Sequence, residues 1–411
     1  MAMELNVTTQ VILLGGVVAS IMGFVAAKTN FCTMGAVSDW INMGDTNRLR
    51  TWFLAMVVGI VGVMVLEGLG LFSLDSTRPP YRSSMFPLVD YVLGGLMFGV
   101  GMTLASGCGN KTLLRIGGGN LKSIIVFLIA GTMAYFMTHT LSAETDKTLY
   151  SILFFPWTRH FTLDLPANQD LGSLLAVITG ADTGMLRLEM GGLLATIISF
   201  VIFRSADFRR SGEILLSGLV IGICVLFAWY ITGSLLFGEE GTWLEATEWL
   251  EGDERPVGIG VQSFTFINPM GETLAYMANP GNSLLITFGV GALVGVLLGS
   301  FAYALVSRSF RIEWFYDLRD FINHAIGAVL MGVGGVLAVG CTIGQGISGV
   351  STLSLGSMLA LASIILGSAL TMKVQYYKLV YEDEATFPAA LLSGMVDLKL
   401  LPEQLRKLEA V

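Results

Sequence analysis

The sequence predicts an all-α polytopic membrane protein of about nine transmembrane helices in a four-plus-one-plus-four inverted repeat, with broken or short helices at Gly-Cys motifs. Three observations carry this: too little charge for a soluble surface, nine apolar stretches of spanning length, and a Gly-Cys motif that recurs. Of 411 residues, 54% are apolar and 13% charged, against ~25% charged in ordinary soluble domains. Most of the outer face must therefore meet lipid. Fifty glycines suit helices that approach closely inside a bilayer. The net charge of −8 comes largely from one loop and the tail, which gives no reason to expect a nucleic-acid partner. The first apolar run, Val11 to Ala27, follows Glu4 with no Lys or Arg before it, so it reads as a first span rather than a removable signal peptide.

Crossing ~30 Å of hydrocarbon takes about 17–25 apolar residues. Such windows fall near 11–27, 51–72, 91–107, 121–141, 189–204, 213–237, 284–306, 323–340 and 355–372. Those at 91–107 and 323–340 are short and run into Gly-Cys, as broken helices do. The layout is a first repeat over 1–141, an external loop and connecting helix over 142–212, a second repeat over 213–372 and a cytoplasmic tail over 373–411. From Pro388 onward, leucines spaced among charges predict a short amphipathic helix.

Basic residues set the orientation. Arg209 and Arg210 mark a cytoplasmic turn, whereas the 238–283 loop is acidic, with Glu239, Glu240, Glu245, Glu248, Glu251, Asp253, Glu254 and Glu272 against Arg255. Alternation then puts Arg48, Arg50, Lys111, Arg115, Lys122, Arg308, Arg311, Arg319 and the tail inside, and the N-terminus outside.

The repeat shows in self-comparison. GGLMFGVGMTLASGC, Gly94 to Cys108, matches GAVLMGVGGVLAVGC, Gly327 to Cys341, at eight of fifteen positions and an offset of 233. A weaker match sets Phe31–Ala36 against Ile267–Glu272 at an offset of 236, pairing Cys32 with Asn268. Spans one to four thus resemble spans six to nine. The single connecting span reverses the second copy, which places a substrate site near the midplane at the repeat interface.

At each Gly-Cys a glycine-rich span stops and polar residues follow: Gly109 and Asn110 after Gly107-Cys108, then Thr342 and Gln345 after Gly340-Cys341. Backbone exposed at such a break must line protein or water. Amides at the start of a half-helix carry partial positive charge and form an anion site without a lysine. A thiol adds a weak donor and a polarizable surface, suited to a ligand whose charge sits partly on sulfur. Asn110 and Gln345 are candidate side-chain donors. Cys32, Cys108 and Cys341 all lie at repeat breaks, whereas Cys224 sits mid-span as a small buried hydrophobe. A Cys108–Cys341 disulfide would need Cα atoms within ~6 Å. No cofactor is expected, and the scattered His139, His160 and His324 suggest no metal site.

At NFCTMGA (Asn30 to Ala36), LASGCG (Leu104 to Gly109) and LAVGCTIGQGISG (Leu337 to Gly349) the chain resembles the YeeE/YedE family of bacterial inner-membrane proteins, whose characterised members take up thiosulfate. The resemblance implies an hourglass of helices with a thin centre, a path lined by Cys32, Cys108 and Cys341, and a cytoplasmic TusA-like sulfur carrier as partner. The chain departs from the compact family pattern in its 142–188 and 238–263 loops and in its tail. Some relatives are linked to selenium.

The leading expectation is therefore a permease for thiosulfate or a similar sulfur oxyanion, not an enzyme. Two other classes compete. A membrane sulfurtransferase would carry a persulfide on an activated cysteine, and an ion-coupled carrier would use Glu67 in the second span. Arg78 and Arg82, in an external loop, would attract anions or lie against lipid.

Overall fold

The computed structural model describes residues 7–141, 146–234, 243, 257–382 and 385–409. Among them, nine segments are long and apolar enough to cross a membrane: Val7–Met43, Asn47–Gly68, Leu88–Gly117, Leu121–Thr138, Thr183–Phe203, Gly212–Gly233, Phe288–Val306, Leu318–Leu337 and Leu355–Val380. The chain is a multi-pass helical membrane protein. The acidic residues expected at 239–254 lie outside the described residues.

The first half contains α1 (Val7–Lys28), α2 (Thr33–Ser38), α3 (Asn47–Gly68), α4 (Leu88–Leu104), α5 (Gly109–Gly117) and α6 (Leu121–Thr138). The connecting region holds α7 (Leu149–Leu153), α8 (Phe155–Thr158), α9 (Leu171–Thr179), α10 (Thr183–Phe203) and α11 (Ala206–Arg210). The second half has α12 (Gly212–Gly233), α13 (Ile267–Ala278), α14 (Phe288–Val306), α15 (Leu318–Leu337), a π-helical turn at Gly344–Gly349 and α16 (Leu355–Val380), and α17 (Phe387–Asp397) follows as the tail helix.

Three departures from the sequence expectation have physical causes. The 142–188 stretch is not simply a loop. Asp170 is buried because Arg187 pairs with it at 3.0 Å and its side chain caps α9 through the Ser173 amide. Helix α16 runs eight residues past its apolar window because Lys373 finds Asp397 of α17 at 3.2 Å, which lets a polar turn stay helical. Glu272, assigned to a loop, sits on α13 and accepts from Asn268 Nδ2 at 2.8 Å.

Glycine sets the packing directions. A Cβ on Gly16 would come within 3.3 Å of the Gly291 oxygen and one on Gly23 within 2.5 Å of the Val296 oxygen, while Phe24 stacks edge-on to Tyr303. Positions rise together, so α1 and α14 run parallel. Helices α3 and α12 are parallel too, with Gly218 against Thr51 and Gly222 against Ala55. Between α4 and α15 the order reverses, Gly94 meeting Gly334 and Gly101 meeting Gly327, so these two run antiparallel with their backbones in contact.

Candidate functional site

Both Gly-Cys breaks are built the same way. Helix α4 ends with Ser106 N–H donating to Thr103 O and Gly107 N–H to Met102 O. Helix α15 ends with Val339 N–H donating to Val336 O and Gly340 N–H to Gly335 O. Every atom pair is offset by 233 positions, and the pattern satisfies the helix's last carbonyls as a Schellman cap does. Ser106 and Val339 take left-handed φ values of 59° and 60°. The end of α1 repeats the device: Asn30, at φ 51°, precedes Phe31 and Cys32, and Phe31 N–H donates to Ala26 O. The chain thus uses one sequence of events three times: helix end, left-handed residue, one linker residue, cysteine.

Each cysteine then heads a short helical turn. Cys32 is the N-cap of α2, its Sγ accepting from Gly35 N–H at 3.4 Å. Cys341 Sγ accepts from Gly344 N–H at 3.5 Å and lies 3.8 Å from Thr265 Oγ1. Cys108 is the N-cap of α5, without a side-chain cap hydrogen bond. For Cys32 and Cys341 the partner is the third residue onward, the place an N-cap side chain normally serves. All three thiols are free and buried, and Cys32 and Cys341 both lie within electrostatic range of Cys108. Cys224 is buried on α12 away from the breaks. The expected alternative of a disulfide is not formed.

Buried polar atoms without a hydrogen-bond partner gather at this site. Nine such side-chain atoms occur among the described residues, and six belong to Thr33, Trp52, Tyr81, Asn110, Thr342 and Gln345. Natural cores leave few such groups bare, and their concentration beside the three thiols makes this the candidate site. Thr342 Oγ1 lies next to the Cys108 thiol without hydrogen-bonding geometry. The Tyr81 hydroxyl neighbours Cys341, and burial pushes it well above its ordinary range, so it remains a donor.

One of the expected side chains behaves differently from expectation. The Gln345 amide nitrogen donates to Ala338 O, which leaves its carbonyl oxygen bare, so it offers an acceptor rather than a donor. Asn268 is the second residue of α13, which starts at Ile267. It lines a vestibule of about 210 Å³ with Arg78, Thr265, Glu272 and Gly340. Gly107 and Gly109 flank Cys108, where a Cβ on Gly109 would press Ile267 at 3.1 Å.

Arg82 neither attracts anions nor touches lipid. It is 1% exposed, donates to Glu67 Oε2 at 2.8 Å and to Thr352 O at 3.1 Å, and also pairs through its other nitrogen with Glu67. The same pairing removes Glu67 as a free intramembrane acid. Sequence reasoning missed Thr265, Tyr81, Thr33 and Trp52. Thr33 adjoins Cys32 and was legible in principle, whereas Tyr81 and Thr265 reach Cys341 only through the fold.

The model of the sulphur-transport family matches residues 28–370, a stretch that contains all three breaks. The chain belongs to the YeeE/YedE sulphur-transport family. The thiosulfate transporter TsuA of Escherichia coli K12 is 26% identical over 362 residues, covering 87% of this chain and 92% of that protein. The protein of the same name from Spirochaeta thermophila is 24% identical over 360 residues, covering 86% and 96%. Among the described residues no cluster of three His, Cys, Asp or Glu side chains stands ready for a metal.

Proposed function

We propose that this protein is a permease for thiosulfate, or a similarly small sulfur oxyanion, in the bacterial inner membrane. The ion passes Cys341, Cys108 and Cys32 in turn. The observation that carries the reading is the convergence of three N-cap thiols with bare hydroxyls between the vestibule and the opposite face. The names of the two relatives point to the same substrate.

The chemistry follows from the groups present. Thr342, Tyr81 and Thr33 hydroxyls donate to the oxyanion oxygens, and the positive ends of the half-helices hold the charge in a dry constriction. The thiols donate weakly to the terminal sulfur, whose size and polarizability match theirs. Tight binding would trap the ion, so weak donors in series suit conduction better than a fixed cation at each step. The parallel pairs α1 with α14 and α3 with α12, and the antiparallel α4 with α15, support the inverted arrangement of the two halves. In that arrangement Arg78 and the vestibule face outward, with the N-terminus outside and the tail inside. A small TusA-like carrier would receive the sulfur at the inner face.

The groups bonded to the Cys32 and Cys341 thiols are amides and a hydroxyl, and among the described residues no general base is hydrogen-bonded to a site thiol, which favours passage over persulfide chemistry. Radiolabelled thiosulfate uptake into proteoliposomes tests the proposal. The wild-type protein should accumulate label, with selenium and sulfur oxyanions competing according to fit. Cys108→Ala and Cys341→Ala should lose uptake while remaining folded; full uptake by both would overturn the cysteine role. A stoichiometric mass gain of one sulfur after thiosulfate exposure would instead favour the sulfurtransferase.

A further inference from the structure

A second cavity of about 370 Å³ opens at the far ends of α1 and α14, lined by Asn30, Lys111, Arg115, Tyr303, Arg311 and Glu313 among others. Helix α14 lines both cavities, from Phe288 at the vestibule to Tyr303 here, which is roughly 22 Å of helix at 1.5 Å per residue. The two cavities therefore open toward opposite faces.

Lys111 has a placement that a topology signal does not explain. Its stem packs on Gly107, where an added Cβ would come within 2.9 Å of Lys111 Cγ. Its ammonium donates to Asn30 Oδ1 at 3.2 Å. The side chain thus spans from the Cys108 break to the Cys32 break, and both thiols lie within its electrostatic range.

Several cations of the basic face are held in ion pairs. Lys122 pairs with Asp320, Arg48 with Asp39, Lys28 with Glu213 and Lys373 with Asp397. Lys111, Arg115 and Arg311 have no acid within ion-pairing distance among the described residues, and Glu313, the acid in the cavity wall, accepts instead from Asn120 Nδ2 at 2.6 Å. Three cations against one carboxylate leave the concavity net positive, which attracts an anion.

We propose that Lys111, Arg115 and Arg311 form a second binding site for a small divalent oxyanion, which takes the ion as it leaves the Cys108–Cys32 stretch. The idea rests on the permease reading for its direction of travel. Lys111 meets the ion first, beside the thiols, and the two arginines return it to water.

Initial rates of thiosulfate uptake into phosphatidylcholine vesicles, with and without phosphatidylglycerol, test the site. Lys111→Gln should lower the maximal rate about tenfold, the scale of one charge-assisted hydrogen bond, with little change in the half-saturating concentration. Lys111→Arg should retain most of the rate, and Arg115→Gln with Arg311→Gln should lower it as Lys111→Gln does. A wild-type rate in Lys111→Gln overturns the proposal. So does a raised half-saturating concentration at unchanged maximal rate, or a defect confined to vesicles with the anionic lipid, which would assign the cations to a headgroup. Protection of Lys111 from acylation by thiosulfate or sulfate, read by mass spectrometry, needs no transport. Protection with a silent wild type would keep the site and remove the permease reading; transport without protection would do the reverse.

Discussion

Ser106 and Val339, 233 positions apart, hold the same left-handed backbone at φ 59° and 60°, one residue before the linker glycine that leads into a site cysteine. For a β-branched residue this conformation is an outlier and costs about 1–2 kcal/mol. The fold maintains it because the cap bonds of α15 and the N-cap bond of Cys341 fix the chain on either side. Val339→Gly should therefore leave the apparent Tm unchanged or raise it. Val329→Gly, at an exposed position inside α15, should cost about 0.5–1 kcal/mol. Thermal unfolding of both variants in one detergent checks the sign, and a clear loss in Val339→Gly would deny the strain.

Cys224 separates thiol content from thiol position. It is as buried as the site cysteines yet lies on α12 with no break beside it. Cys224→Ala should transport at the wild-type rate and lose no more than about 1 kcal/mol, the scale of one buried group of methylene size. Cys341→Ser, which keeps a donor but removes the polarizable sulfur, should transport far more slowly. Parallel uptake assays decide this, and equal rates in Cys341→Ser and wild type would reduce the thiol to an ordinary hydroxyl donor.

Much of the fold was legible in the sequence because lipid imposes a simple rule on it. Apolar runs of spanning length gave the nine segments, and LASGC against LAVGC gave both breaks. The misreadings have a common cause. Gln345 looked like a free donor because a sequence does not show that Ala338 O, left at the end of α15, claims its amide. Arg82 and Glu67 lie fifteen positions apart across a loop, and no periodicity relates them. Tyr81 joins the site by the same loop and was invisible for the same reason.

The Arg82–Glu67 pair gives a stability prediction that also tests whether Glu67 carries a coupling ion. Arg82 is 1% exposed and the Glu67 side chain 17%, so Glu67→Gln leaves the buried guanidinium with only the longer ion pair to the half-exposed Asp75 at 3.6 Å. Removing one partner of a buried pair costs about 3–5 kcal/mol, and the variant should unfold at clearly lower temperature. Arg82→Met with Glu67→Leu should recover much of that loss and should still transport with the wild-type pH profile. Loss of transport in a stable double variant would return Glu67 to the coupling role.

Asp170 and Asp75 predict how the protein responds to acid. Burial alone would raise both carboxyls, but hydrogen bonds from Arg187, with Ser173 also donating to Asp170, outweigh it and hold both below their ordinary value of 3.8. A carboxyl whose folded pKa is depressed stabilises the fold fully above its unfolded pKa, about 3.9, and loses that contribution as pH falls through the lower folded value. The apparent Tm should therefore be flat in these groups near neutrality and decline below about pH 4. Asp170 is fully buried whereas the Asp75 side chain is 49% exposed, where water screens the pair and little stability is at stake. Asp170→Asn should accordingly remove most of this acid limb, and Asp75→Asn little of it. Unfolding scans from pH 3 to 7 make the comparison, and equal flattening by the two variants would contradict the burial argument.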